Sequence, residues 1–226
     1  MTEGITRPTR RWNGALTNRG MNGELVREWS QVASAAKNRN WTGVMPLLNE
    51  HPELVNAALR KGRSWFTLLH CAAANDAPEG FISDLIDAGA FRTVKDSAGQ
   101  RPVDVASRMG FRGMVNLLEP EAQEHFDAES LTFIQELFHG LIRAAMLAYK
   151  VKDPLWLPQL SVLTELNDSA IWFPVPGMAG GFHFWMESRD GASALIAESW
   201  CRMCGGSGMR HRITPFEVIL EEEGFV

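Results

Sequence analysis

The pattern of apolar and polar positions divides the chain into segments of different character. Residues 1–30 are rich in arginine, asparagine and glycine and show little apolar periodicity, which predicts an N-terminal basic arm. From about residue 31 to residue 120, short apolar segments recur along the chain. Aligning the small residue of each first helix gives Ala35, Ala72 and Ala106, at intervals of 37 and 34 residues. Intervals of this size are typical of stacked helix pairs.

A longer helix is predicted after Pro120. Apolar residues recur at helical spacing from Leu131 to Ala145, and an acidic stretch precedes them. Carboxylates at the start of a helix complement its dipole, so we expect the helix to begin within the acidic stretch. We also expect it to pack on the last repeat and close the end of the stack.

From about residue 155 onward, short apolar runs alternate with turn residues, which predicts strands. Between Phe182 and Met186 the alternation is clean, with Phe182, Phe184 and Met186 on one face and His183 and Trp185 on the other. The predicted strands are Leu160–Leu166, Ile171–Pro176, Phe182–Met186, Ala194–Arg202, Arg210–Thr214 and Glu217–Leu220. The expected fold class is therefore α+β, with a capping helix and a small, mostly antiparallel β-rich domain over residues 121–226.

One motif in the repeated region resembles a known family. Thr67-Leu-Leu-His-Cys-Ala-Ala73 is similar to the Thr-Pro-Leu-His-x-Ala-Ala signature of the ankyrin repeat. Ile86–Ala90 resembles the end of its second helix and the following turn, and Asp96–Asp104 resembles the hairpin that leads into the next repeat. The resemblance implies a short solenoid of about three ankyrin repeats over residues 31–120, in which His70 ties the turn to the backbone.

The same resemblance implies a concave groove that binds other proteins, lined by hairpin tips and first helices. The variable position of the signature, Cys71 in one repeat and Val105 in the next, is expected to point into it. Tryptophan and arginine at such places are favoured in interface hot spots, although Trp65 and Phe91 could instead cover the seams between repeats. The candidate partner-binding residues are Arg63, Trp65, Cys71, Asn75, Phe91, Arg92, Arg101, Val105, Arg108 and Met109.

Composition and charge restrict the possible function. A formal net charge of −5 gives no overall attraction to nucleic acid, so we expect no nucleic-acid partner. The chain has no apolar run long enough for a membrane helix and an odd number of cysteines, which favours a cytoplasmic protein without a disulfide scaffold. Eight tryptophans against one tyrosine, spread over both halves of the chain, favour two small cores over one aromatic cage.

The sharpest string outside the repeats is Cys201-Arg-Met-Cys204, which resembles half of a zinc knuckle. His211 and His183 could complete four ligands, so a zinc site at Cys201, Cys204, His183 and His211 stays an alternative. The favoured interpretation is that these residues lie at strand ends and that the protein uses no cofactor.

Taken together, the sequence favours a protein-recognition module without catalytic activity. Its most concrete form is a bacterial immunity protein that neutralises a toxin, followed by an effector or adaptor that recruits a partner. The alternative is an enzyme or a zinc- or ligand-binding β-domain whose repeats recruit the substrate.

Overall fold

The computed structural model describes residues 9–12, 23–58, 65–121, 126–151, 155–167, 169–175, 177–189, 192–201 and 208–225. The chain combines short helices with a mixed β-sheet, as the predicted α+β class requires. It forms two compact units. The sheet unit comprises Met1–Trp12, Gln123–Asp153 and Leu166–Val226, and the helical unit comprises Asn13–Ala122 and Pro154–Glu165.

Short helices and tight turns build the helical unit. Its α-helices are α1 (Gly23–Lys37), α2 (Val44–Glu50), α3 (Leu68–Ala74), α4 (Glu79–Asp87), α5 (Pro102–Met109) and α6 (Val115–Leu118). Single turns of 3₁₀ helix stand before α6, at Arg112–Met114, and on either side of α2, at Trp41–Gly43 and Pro52–Leu54. Helix α3 packs against α5, and the fully buried Ala72 and Ala106 allow the two to approach closely.

Glycine and asparagine fix the loop that follows α4. Gly89 adopts a φ of +94°, which ends the helix in a conformation that a Cβ would strain. The buried side-chain amide of Asn56 then forms two hydrogen bonds with the backbone of this loop. Its Nδ2 donates to the carbonyl of Gly89 and its Oδ1 accepts from the N–H of Phe91, both at 2.8 Å. Further along, Oδ1 of Asp96 accepts from Ala98 N–H and Gln100 N–H. These bonds hold the hairpin in place before α5 begins.

The sheet unit consists of one six-stranded sheet and one long helix. The strands are β1 (Thr9–Arg11), β2 (Ala170–Val175), β3 (Gly180–Arg189), β4 (Ala192–Cys201), β5 (Gly208–Ile213) and β6 (Val218–Phe225), and the helix is α7 (Ala128–Ala148). The strands lie in chain order across the sheet; β1 pairs parallel with β2, and all other neighbours are antiparallel.

Helix α7 packs on one face of the sheet. Asp127 caps it by accepting a hydrogen bond from Ser130 N–H at 2.7 Å, and the buried ring of Phe138 contacts Phe182 and Phe184 at centroid distances of 5.8 and 4.9 Å. The expected alternation in β3 is confirmed on this face. Phe138, on the apolar face of α7, is thus buried against the sheet of its own unit, and the closing of the repeat stack by this helix stays a prediction.

Two segments form elements that the sequence pattern did not predict. Thr9–Arg11, within the expected arm, is strand β1. The next residue, Trp12, is 1% exposed, and its backbone N–H donates to the Trp172 carbonyl at 2.9 Å. Leu160–Glu165, expected to be a strand, is a 3₁₀ helix in the helical unit. Leu160 and Leu163, three residues apart, are both buried, which is the spacing that a 3₁₀ turn brings onto one side.

Two adjacent glycines allow close strand pairing in β3. A Cβ on Gly180 would lie 1.8 Å from the Trp200 carbonyl oxygen, and one on Gly181 would lie 2.1 Å from the Phe173 carbonyl oxygen. Any side chain at either position would therefore collide with a neighbouring strand. Among the helices of the described residues, none combines the length and the apolar character needed to cross a membrane.

Candidate functional site

Thr67 and His70 cap the N-terminus of α3, and His70 connects the helix to the loop before α5. Thr67 N–H donates to Nδ1 of His70 at 3.3 Å, and His70 N–H donates to Oγ1 of Thr67 at 3.5 Å. Because Nδ1 accepts, the ring proton is placed on Nε2, which donates to the Gln100 carbonyl at 3.0 Å. Burial lowers the pKa of His70, against smaller opposing effects of the Gln100 carbonyl and nearby aspartates. His70 is a neutral link between α3 and the loop before α5.

Three of the expected groove residues are buried. Val105 is fully buried, Cys71 is 8% exposed and Phe91 is 2% exposed. Cys71 and Val105 belong to the core of the helical unit, because the face that carries them lies where α3 and α5 pack together. Burial also raises the pKa of the Cys71 thiol to about 12, so the thiol stays protonated. These side chains stabilise the unit and do not offer a surface to a partner.

The side chain of Glu165 forms hydrogen bonds with Arg92 and Thr93. Oε2 of Glu165 accepts from Arg92 N–H at 3.0 Å, and Oε1 accepts from Thr93 N–H at 2.7 Å and from the Thr93 hydroxyl at 2.5 Å. The Arg92 guanidinium adds an ion pair, with Nε 3.7 Å from Oε2. With its side chain 8% exposed, the carboxylate uses its charge to hold two consecutive backbone N–H groups.

Two further contacts fix the same segment on the helical unit. Gln159 forms two hydrogen bonds of 2.7 Å with the backbone of Lys95, one as donor and one as acceptor. Trp65, another expected groove residue, stacks on Trp156 with 5.9 Å between ring centroids and 13° between planes. The segment from Trp156 to Glu165, which we call the strap, therefore covers residues that the sequence assigned to partner binding.

Asn75 and Arg101 are half-buried and engaged within the unit. Nδ2 of Asn75 donates to the Cys71 carbonyl at 2.9 Å. Nη2 of Arg101 donates to Oδ1 of Asp104 at 3.0 Å, and its Nη1 lies 3.4 Å from Oε1 of Glu119. The hydrogen bond with Arg101 is the main cause of the lowered pKa of Asp104. The positive charge of Arg101 is thus compensated locally.

Arg108 and Met109 remain as exposed residues of the expected groove. Both lie at the C-terminal end of α5, and Met109 is 46% exposed although it is large and apolar. Gly110 ends the helix there with a φ of +82°. Arg63 lies outside the described residues. The candidate site of the helical unit is accordingly smaller than predicted and centres on Arg108 and Met109.

The sheet unit has a polar face on the side opposite the packed Phe182 and Phe184, and a network of ion pairs lies on it. Arg212 donates to Glu187 at 2.8 Å and to Glu221 at 2.6 Å. Arg210 lies 3.4 Å from carboxylate oxygens of both Glu198 and Glu221, and its guanidinium covers the Trp185 ring at 5.5 Å. Each carboxylate of this network faces at least one guanidinium.

Charge pairing also sets the protonation of Glu187. Partial burial acts to raise its pKa, but hydrogen bonds from Arg212 and Trp185 together with the nearby guanidiniums outweigh burial and lower it. The carboxylate therefore stays ionised well below neutral pH, which keeps the network on the polar face intact.

Of the four residues that the alternative zinc site would need, the two histidines are not brought together. His183 pairs across the strands with Glu198, whereas His211 pairs with Ala197, so the two imidazoles lie on opposite faces of the sheet. Cys201 shares the face of His211, and its buried thiol donates to the Met178 carbonyl at 2.9 Å. Cys204 lies outside the described residues. Within the described part of the chain, no three histidine, cysteine or acidic residues are grouped as metal ligands.

Comparison of the chain with models of known protein families and with curated proteins finds no match. The geometry therefore carries the functional argument. Sequence reasoning missed Glu165, Gln159 and Trp156, which determine how much of the predicted groove is open. Their polar and aromatic side chains within an apolar run are the signal that a strand interpretation overlooked.

Proposed function

We propose that the chain is a protein-recognition protein whose helical unit is a short ankyrin-like solenoid and that it binds its partner without catalysing a reaction. The observation that carries this proposal is the link from His70 to the Gln100 carbonyl, supported by the Thr67 cap. In an ankyrin-like stack this histidine ties one helix pair to the hairpin of the next. The packing of α3 on α5 and the turn at Gly89 agree with that arrangement.

The partner-binding surface is centred on Arg108 and Met109. An arginine beside an exposed methionine offers charge, apolar area and a flexible side chain, which are features of protein interfaces. The strap occupies the surface around Trp65 and Arg92, so a partner that binds the intact helical unit is expected to use the end of α5 instead.

In its most concrete form, the proposed function is that of a cytoplasmic bacterial immunity protein that binds and neutralises a toxin, with an effector or adaptor role as the next version. The acidic net charge favours a basic partner, because opposite overall charges accelerate association. The alternative of a zinc- or ligand-binding enzyme in the sheet unit draws no support from the positions of His183 and His211.

The test is site-specific photocrosslinking. A photoreactive amino acid replaces Met109 in one protein and Leu147 in a second, since Leu147 is 81% exposed on α7 and lies outside the proposed site. In lysate from the source cells, the Met109 position is expected to crosslink to a discrete protein that the Leu147 position does not capture. Equal crosslinking at both positions would refute the proposed site.

Variants then measure the contribution of the two residues with the captured partner in purified form. Arg108→Glu with Met109→Ser is expected to weaken binding at least about tenfold, as loss of hot-spot contacts does. The matched control is Arg143→Glu with Leu147→Ser on exposed positions of α7. If the partner is a toxin, co-expression of the wild-type chain should restore growth, and the α5 variant should restore it less.

A further inference from the structure

Strand β6 presents an apolar segment at the edge of the sheet. Among the described strands it pairs with β5 alone, so the backbone groups along its other side face away from the sheet. Val218, Ile219 and Leu220 are 39%, 39% and 50% exposed, and Phe216 in the preceding turn is 92% exposed. Consecutive exposed apolar residues on an edge strand are unusual, because such an edge readily pairs with another chain.

The same edge carries carboxylates that no described cation compensates. Glu221 lies where the register against β5 shifts, and it is held by Arg210 and Arg212. Glu217, Glu222 and Glu223 are exposed and form no ion pair with a described residue. In contrast to the polar face, where each carboxylate of the network faces a guanidinium, this edge keeps unpaired negative charges next to its apolar residues.

From these two observations we propose that β6 is a docking edge for a basic, extended segment of a partner protein, which adds a strand to the sheet. Backbone hydrogen bonds along β6 give the affinity, as in other strand-addition complexes. Lysine or arginine side chains of the incoming strand pair with Glu217, Glu222 and Glu223, and its apolar side chains cover Val218–Leu220. A second copy of the chain is a poorer occupant, because it would bring its own Glu217, Glu222 and Glu223 to the same edge.

This surface does not depend on the proposed role of the helical unit, and it is tested with defined peptides. The probe is a fluorescein-labelled eight-residue peptide of alternating lysine and valine, and the control is a peptide of alternating glutamate and valine. Fluorescence anisotropy at low salt is expected to detect binding of the basic peptide and no binding of the acidic peptide. Amide hydrogen exchange of β6 residues should slow on binding, because the incoming strand pairs with the outward N–H groups.

Charge reversal locates the interaction. Glu222→Lys with Glu223→Lys is expected to weaken basic-peptide binding about tenfold or more. Glu129→Lys with Glu136→Lys, which changes two exposed carboxylates on α7 by the same charge, should weaken it at most about twofold. If the lysine pair impairs folding, Glu222→Gln with Glu223→Gln is used and should weaken binding about threefold.

Several outcomes overturn the proposal. These are equal binding by the two peptides, equal loss in the edge and α7 variants, no binding up to about 1 mM, and binding without protection of β6 amides. Analytical ultracentrifugation of the peptide-free protein tests whether a second copy of the chain binds at this edge. A concentration-dependent dimer in which the β6 amides are protected from exchange would assign the edge to that second copy.

Discussion

The side-chain amide of Gln159 pairs with the backbone of Lys95 as a neighbouring strand would. It accepts from Lys95 N–H and donates to Lys95 C=O, each at 2.7 Å. Six residues further along, Glu165 binds the N–H groups of Arg92 and Thr93. The loop after α4 thus has its backbone hydrogen bonds satisfied by side chains of a segment far away in sequence.

The first prediction concerns the carboxylate of Glu165. Glu165→Ala leaves two backbone N–H groups without an acceptor, so we expect a loss of about 2–3 kcal/mol in the free energy of unfolding. Urea denaturation followed by tryptophan fluorescence measures it. Glu136→Ala, at an exposed position of α7, is the control and should change stability by less than about 0.5 kcal/mol. Similar losses in both variants would show that the Glu165 contacts contribute little.

The second prediction is a pH dependence that arises from His70. Its pKa in the folded protein is below the ordinary 6.5, so the unfolded chain binds the proton first. Stability is therefore fully present above about pH 6.5 and falls as the pH decreases below that value, by up to about 1.4 kcal/mol per pH unit. Urea denaturation between pH 7.5 and 5.0 measures this slope. His70→Gln should be less stable at pH 7.5 but show a smaller slope, and an unchanged slope would exclude His70 as the cause.

The third prediction is that Cys71 is unreactive. With Cys201 and Cys204 both replaced by serine, native Cys71 should react with a disulfide reagent at pH 8 about a thousandfold more slowly than in urea, since a pKa of about 12 leaves little thiolate. The absorbance of the released thiolate gives the rate. Labelling within a few times the rate of the unfolded protein would mean that Cys71 is accessible, as the groove hypothesis required.

The fourth prediction compares two glycines of the sheet unit. Gly181→Ala places a Cβ against the Phe173 carbonyl and should lower stability by at least about 2 kcal/mol. Gly140→Ala lies at an exposed helical position where, apart from its chain neighbours and the backbone of its own helix, no atom lies within 4 Å of the added Cβ, and it should raise stability by up to about 1 kcal/mol. Thermal unfolding monitored by circular dichroism distinguishes the two. Equal shifts in melting temperature would contradict the close strand approach at Gly181.

Elements with a strong local pattern were predictable from the sequence. The alternation from Phe182 to Met186 predicted β3, and the apolar spacing after Leu131 predicted α7, whose observed bounds extend three residues on either side of Leu131–Ala145. In both cases the buried face of one element is encoded within that element, so its periodicity is visible before any partner is known.

Elements that depend on distant contacts were not predictable. Thr9–Arg11 has no apolar pattern and is a strand because β2 supplies its hydrogen bonds. The groove prediction failed at Cys71 and Val105 because their burial depends on how α3 meets α5, which a repeat signature does not specify. Trp156 and Glu165 contact Trp65 and Arg92, and no local pattern in the sequence predicts such contacts between distant segments.

The path of the chain has a consequence for how the protein is divided in experiments. The backbone passes from one unit to the other after residues 12, 122, 153 and 165. Neither unit is therefore a contiguous fragment by itself: residues 31–120 lack part of α1 and the Glu165 carboxylate that binds Arg92 and Thr93, and residues 121–226 lack β1 and Trp12. Truncation at the boundaries that the repeats suggest would leave two incomplete proteins.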